Sequence, residues 1–220
     1  MSARDRLEQA GMLYERAVFG GDADALPIAD RELDSVEADL ALARGRIIHA
    51  RFLDQREEDA RELPLFERAA ELYRALGDIR GEAESLFWIG CFHQVVRDDR
   101  DLAIPALERS QELAGQVGDK LTMSYALRHL GFAERTAGTL DKARELLDES
   151  TKLRQEIGFM PGVAANLVAL AYLAGEQGRP DDALALVEEA GAIATASDAS
   201  AVARWADEAR SQLRGEAQAP

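Results

Sequence analysis

The chain has 220 residues, 26 Lys+Arg against 41 Asp+Glu, and a formal net charge of −15 at pH 7. That balance disfavours a surface that tracks phosphates, which needs clustered positive charge, so nucleic acid is not an expected partner. No apolar run reaches the roughly 18 residues of a membrane span, Arg4, Asp5, Arg6 and Glu8 interrupt any leader-like N-terminus, and the single Cys91 allows neither an internal disulfide nor a thiolate metal cluster.

A reducing cytoplasm is therefore the expected setting, without cofactor or metal. The basic residues are nearly all arginine, with only Lys120, Lys142 and Lys152 as lysines, and alanine is abundant, which points to a GC-rich bacterial genome. Ala, Leu, Glu and Arg favour helix, and strand-like runs of β-branched and aromatic residues are missing, so an all-α chain is expected.

In chain order, Gly11 and Tyr14 with Gly20-Gly21 read as a first helix and its turn. Leu26-Pro27, Leu63-Pro64 and Ile104-Pro105 read as one feature, a proline in the first turn of a second helix, where early N–H groups lack intrahelical partners. The pattern inside Asp30–Leu53 leaves a helix boundary open. Gly77-Asp78 and Gly118-Asp119 then punctuate the chain, glycine as a left-handed helix terminator and aspartate as the next N-cap. Lys120–Thr136 carries Leu127, Leu130 and Gly131 on one stripe and breaks at Gly138-Thr139; Leu140–Ile157 carries Leu140, Ala143, Leu147 and Ser150 at helical spacing. At the next boundary Gly158 is kept, Phe159 replaces the aspartate, and Pro161 opens the helix. Ala199–Leu213 reads as a lone amphipathic helix with Val202 and Trp205 inward, and 216–220 as a frayed tail.

A repeat underlies these elements. Ala103, Ala143 and Ala183 stand 40 apart, as do Leu107, Leu147 and Val187, and Ser110, Ser150 and Ala190. Upstream the period is 41, from Gly77 to Gly118, Gly90 to Gly131 and Phe66 to Leu107, which fits one extra residue in the turn Arg97–Arg100. Gly90 and Gly131 sit inside helices, where each costs about 1 kcal/mol relative to alanine. Their recurrence predicts close helix approach, with Ala171 in the same slot of the last unit.

A small mid-helix residue followed by Ala-x-x-x-Leu-x-x-Ser/Ala in the second helix resembles the tetratricopeptide repeat (TPR). The likeness covers 77–198, in units longer than the usual ~34 residues and similar to the 40-residue repeats of bacterial regulators and signalling proteins. His93, Glu134 and Ala174 replace the common tyrosine. The resemblance implies an α-solenoid of stacked antiparallel helix pairs: divergent helical repeats over 1–76, repeats at 77–117, 118–157 and 158–198, and a capping helix over 199–215.

The residues offer no enzymatic constellation. Cys91-x-His93 places its members on different sides of a helix, His49, His93 and His129 read as partly buried packing residues, and Cys91 as an inert thiol. Acidic pairs such as Asp98/Asp99, Asp181/Asp182 and Glu188/Glu189 read as solvated charge. In TPR proteins the first helices line a concave groove, and the resemblance implies one here. Its face comprises Tyr125, Arg128, Phe132 and Arg135, with neighbouring His129, in one unit; Glu84, Phe87, Cys91 and Gln94 in the preceding one; and Val168 and Tyr172 in the following one. The expected ligand is a protein or peptide segment with apolar and acidic groups, gripped by a scaffold or regulator. The alternative is a sensor that closes around a small molecule or signal peptide. The lysine and asparagine set of the carboxylate-clamp TPR is absent, Asn166 falling one position off the face. A homodimer through Trp205 or the N-terminal helices is compatible with either reading.

Overall fold

The computed structural model describes residues 1–216, all helical apart from turns. The tail expected over 216–220 falls, past Glu216, outside the described residues. Two compact units divide at Val117/Gly118. The first holds α1 (Ala3–Gly20), α2 (Ala25–Gln55), α3 (Glu62–Leu76), α4 (Ile79–Val95) and α5 (Arg100–Gln116). The second holds α6 (Lys120–Thr136), α7 (Leu140–Glu156), α8 (Met160–Glu176), α9 (Pro180–Ala196) and α10 (Ser200–Glu216). Within each unit every helix packs on its successor, the arrangement of an α-solenoid.

The turns follow from local chemistry. Asp78, Asp99 and Asp119 each cap a helix, their carboxylates accepting the N–H of Gly81 at 3.0 Å, Leu102 at 3.1 Å and Thr122 at 3.3 Å. Gly77, Gly118 and Gly158 precede helices with φ of +75°, +65° and +71°, where a Cβ would be strained. The step from 40 to 41 has a structural cause. Val96 and Ala137 both close 17-residue helices, but Arg97 then intervenes before Asp98, which takes the left-handed φ (+52°) that Gly138 and Gly178 hold in later turns. The closing hydrogen bond spans one residue more: Asp99 N–H reaches back to His93 O, whereas Thr139 N–H reaches Glu134 O.

The repeat signature is the core. Ala103, Leu107 and Ser110 of α5, Ala143, Leu147 and Ser150 of α7, and Ala183, Val187 and Ala190 of α9 all have 0% exposure. The two serines are satisfied across the pair: Ser110 Oγ donates to Ala83 O at 2.7 Å and Ser150 Oγ to Ser124 O at 2.6 Å. The mid-helix glycines admit that contact. A Cβ on Gly90 would lie 2.6 Å from Leu107 Cγ, and one on Gly131 would lie 3.1 Å from Leu147 Cγ.

Three expectations need correction. No boundary exists inside Asp30–Leu53: α2 runs unbroken for 31 residues, held near its start by Ala25 and Ala29 against α1 and farther on by a buried stripe of Ala38, Ala41, Leu42, Gly45, Ile48, His49 and Phe52. The proline feature is not one register, since Pro27 and Pro64 fall in first turns while Pro105 stands in the second turn of α5. Trp205 is 47% exposed; α10 buries Val202, Ala206, Ala209 and Leu213 instead, a stripe at i, i+4, i+7 and i+11.

Candidate functional site

In the second unit, the first-helix face gathers around two arginines. Arg128 on α6 donates through Nη1 to Ala165 O at 2.9 Å and Asn166 Oδ1 at 2.6 Å, and its guanidinium lies 4.6 Å from the Phe132 ring centroid. Arg154, on α7 and 1% exposed, donates to the same Asn166 Oδ1 at 2.9 Å and to Gly162 O at 2.8 Å. Its charge lies over the Tyr125 ring at 5.0 Å and the Phe159 ring at 5.7 Å. Phe159 thus stands in the slot where Asp78 and Asp119 cap the preceding repeats, and its ring covers a cation instead. The Asn166 amide donates onward to Ser150 Oγ at 2.8 Å and Thr151 Oγ1 at 3.1 Å, which fixes its oxygen toward the arginines.

Neither arginine has a carboxylate within 4.0 Å among the described residues, and Nη2 of Arg154 is buried without a hydrogen-bond partner. Burial, with the Arg154 charge beside it, pulls the Arg128 guanidinium down to about 9, and burial pulls Arg154 down to about 10. Guanidinium remains charged at neutral pH at these values, so positive charge is held here by an amide, carbonyls, the Ser124 hydroxyl and aromatic faces. Arg135 differs. Its Nε donates to both Glu176 carboxylate oxygens at 3.0 Å, so on the face where the sequence places it Arg135 is already a committed ion pair. Arg128, Phe132, Arg135, Val168, Tyr172 and Trp205 border a hollow of about 280 Å³. Tyr172 donates its hydroxyl to Gln212 at 2.8 Å, and His129 packs edge-on against Phe132 at 5.7 Å.

The candidates in the first unit have a different fate. Phe87 and Cys91 are both 3% exposed, so they are core residues and not part of an open face. Trp88 meets Phe87 edge-on and stacks on Phe66. Glu84 pairs with Arg46 at 3.1 Å, and Gln94 is half-buried. Cys91 Sγ lies 3.6 Å from His49 Nε2, and His49 Nδ1 lies 2.7 Å from Glu62 Oε1. The order thiol, imidazole, carboxylate is that of a nucleophilic triad, but burial drives the thiol pKa upward and encloses the sulfur, which suits a packed hydrogen-bond chain and not a nucleophile.

Arg154, Asn166 and the His49–Glu62 pair escape a reading by helical faces. The register itself contains the signal. Arg154 fills the slot of Ala114 and Ala194, and Asn166 that of Ser85 and Ala126, all fully buried. A large polar residue at a small-residue core position must either find partners or carry function.

No described helix is long and apolar enough to cross a membrane, and among the described residues no group of three or more His, Cys, Asp or Glu could hold a metal ion. Comparison with known proteins agrees with this helical architecture. Residues 121–196 match the family model described as tetratricopeptide repeat. Among solved structures, the chain is similar to nearly identical TPR-like repeats from a Podosopora anserina protein assigned as a kinesin light chain: TM-score 0.51, 14% identity, covering 84% of this chain and 96% of that one. It is also similar to BtubC (BKLC) from P. vanneervenii, with TM-score 0.54 and 14% identity over 100% of this chain and 94% of that one. At such identity the likeness is one of fold. No curated protein sequence matches significantly. TPR folds generally mediate protein–protein interaction or scaffolding and are typically non-enzymatic. Residues 121–196 are tetratricopeptide repeats in sequence and in helix pairing, and the rest of the described chain shares the stacked helix-pair fold.

Proposed function

We propose that this protein is a non-enzymatic scaffold or regulator that grips a partner segment on the α6/α8 face of its second unit. The segment carries a carboxylate beside an apolar side chain. The observation that carries this reading is Arg128 with Arg154: two guanidiniums converge on one amide oxygen with no carboxylate within 4.0 Å among the described residues, in a chain of net charge −15. An acidic group presented to Arg128 would supply the missing counter-charge through a charge-assisted hydrogen bond. Phe132, Val168, Tyr172 and Trp205 border the adjoining hollow for the apolar group.

The size of the hollow favours a peptide over the small-molecule sensor. About 280 Å³ accepts one anchoring side chain and sits at the lower edge of the usual range for enclosing a whole ligand. A free, buried Cys91 is consistent with a reducing cytoplasmic setting.

The test is selection of displayed peptides on the immobilised full chain, followed by affinity measurement. Selected peptides are expected to combine Asp or Glu with an aromatic or aliphatic residue. Arg128→Ala and Phe132→Ala should each weaken them at least about tenfold, or ~1.4 kcal/mol. Peptides whose affinity ignores both changes but falls on replacing the exposed Glu188 and Glu189 of α9 would overturn the assignment.

A further inference from the structure

Outside the stripe it buries from Ala38 to Phe52 and the Ala25 and Ala29 contacts it makes with α1, α2 keeps a second apolar face. Leu26, Leu33, Leu40 and Ile47 succeed one another every seven residues, and each keeps between 43% and 57% of its surface exposed. A single exposed leucine requires no explanation; a seam of four over ~31 Å of one helix is the pattern of a helix that meets another helix.

Charge along the same helix is divided at Leu40. Residues 30–39 contain Asp30, Glu32, Asp34, Glu37 and Asp39 against Arg31 alone, whereas residues 40–51 contain Arg44, Arg46 and Arg51 and no acid. Beside the seam, Asp30, Glu37, Arg44 and Arg51 follow at seven-residue steps. Among the described residues, Arg44 and Arg51 have no carboxylate within 4.0 Å. Both line a groove of about 920 Å³ between α2 and α3, together with Ile47, Ile48 and Leu65. Glu37 pairs with Arg68, which lines the same groove, but that pair is solvent-exposed and contributes little by itself.

We propose that this face is a self-association surface on which α2 of a second copy lies antiparallel, with the two-fold axis beside Leu40. The occupant follows from the charge order. Glu37 and Arg44 lie three and four residues either side of Leu40, and Asp30 and Arg51 lie ten and eleven. An antiparallel copy therefore sets Glu37 against Arg44 of the partner subunit and Asp30 against Arg51 of the partner subunit, each twice by symmetry. A parallel copy would set like charges side by side along the seam. An unrelated partner would have no reason to match a face that is acidic at one end and basic at the other about its own midpoint.

Light scattering and sedimentation of the full chain test this. The wild type is expected to dimerise at micromolar concentration. Leu40→Glu, the double change Arg44→Glu/Arg51→Glu, and the double change Asp30→Arg/Glu37→Arg should each give monomers with unchanged helical circular dichroism. Mixing the two double variants should restore a one-to-one dimer, because every seam pair is then opposite in charge; misfolded variants could not recover in this way. A wild type that stays monomeric at ~100 μM, a dimer that survives both reversals, or variants that fail to pair on mixing would overturn the proposal.

Discussion

Gly90 and Gly131 occupy one repeat slot but have different room. A Cβ at 90 would meet Leu107 Cγ at 2.6 Å and Ala103 O at 3.1 Å; at 131 the corresponding contacts are 3.1 Å and 3.3 Å. Adding a methyl group also recovers about 1 kcal/mol of helix propensity. Gly131→Ala should therefore be near neutral in urea unfolding, and Gly90→Ala destabilising by about 1–2 kcal/mol, since Leu107 is fully buried and must shift. Gly131→Leu, too large for either site, should cost about 2–4 kcal/mol. Asn166 offers a second test at this scale. Removing its side chain withdraws the acceptor from two buried guanidiniums, so Asn166→Ala should cost about 2–4 kcal/mol. Combined with Arg154→Ala the loss should be smaller than the sum by about 1 kcal/mol or more, because one orphaned charge has gone. Additive losses in a double-mutant cycle would show that Arg154 does not depend on Asn166.

Among the helices, the caps separate α6 from α7. Asp119 is buried at the start of α6 and accepts from both the N–H and the hydroxyl of Thr122, at 3.3 Å and 3.1 Å. Thr139, at the start of α7, makes no cap bond to the helix and directs its hydroxyl back to Glu134 O. Asp119→Ala should lower stability by about 1–2 kcal/mol, read as a fall in melting temperature, and Thr139→Ala by clearly less. The length of α2 has the same kind of local origin. From Ala25 to Gln55 the chain contains no turn dipeptide, and Gly45, which could have ended a helix, instead seats Phe66, whose ring would lie 2.4 Å from a Cβ there.

For the molecule as a whole, the net charge of −15 sets the expectation for polyanions. Among the described residues the cations without a carboxylate within 4.0 Å are dispersed, Arg128 and Arg154 in the second unit and Arg44 in the first among them. Most other arginines are committed to exposed ion pairs, among them Arg61 with Asp59 and Arg210 with Glu188. No retention of DNA or RNA is expected in a filter assay at physiological ionic strength, where counterion release must outweigh the repulsion of the remaining acidic surface. Salt-resistant retention would refute this.

The repeat was legible in the sequence because its core positions are small and apolar at fixed spacing. Ala103, Leu107 and Ser110 recur at 40 residues since each helix pair must present the same profile to its own partner helix, and one extra residue in the Arg97–Arg100 turn was visible as a change of period. Helix type, turns and caps are decided within a few residues, by glycine φ, aspartate capping and side-chain period, and these survive in a single sequence. The site was only half legible. Tyr125, Arg128 and Phe132 share a helical face, but which arginine is neutralised depends on what stands across from it, and only the packing of α8 against α6 and α7 gives Arg135 to Glu176 while leaving Arg128 on Asn166. Phe87 and Cys91 fit the same helical pattern yet are buried, because in the first unit Trp88, His49 and Phe66 close over that face. Periodicity reports which side chains point the same way; whether they meet solvent, a carboxylate or another ring is set by residues distant in sequence, and the tertiary structure alone decides it.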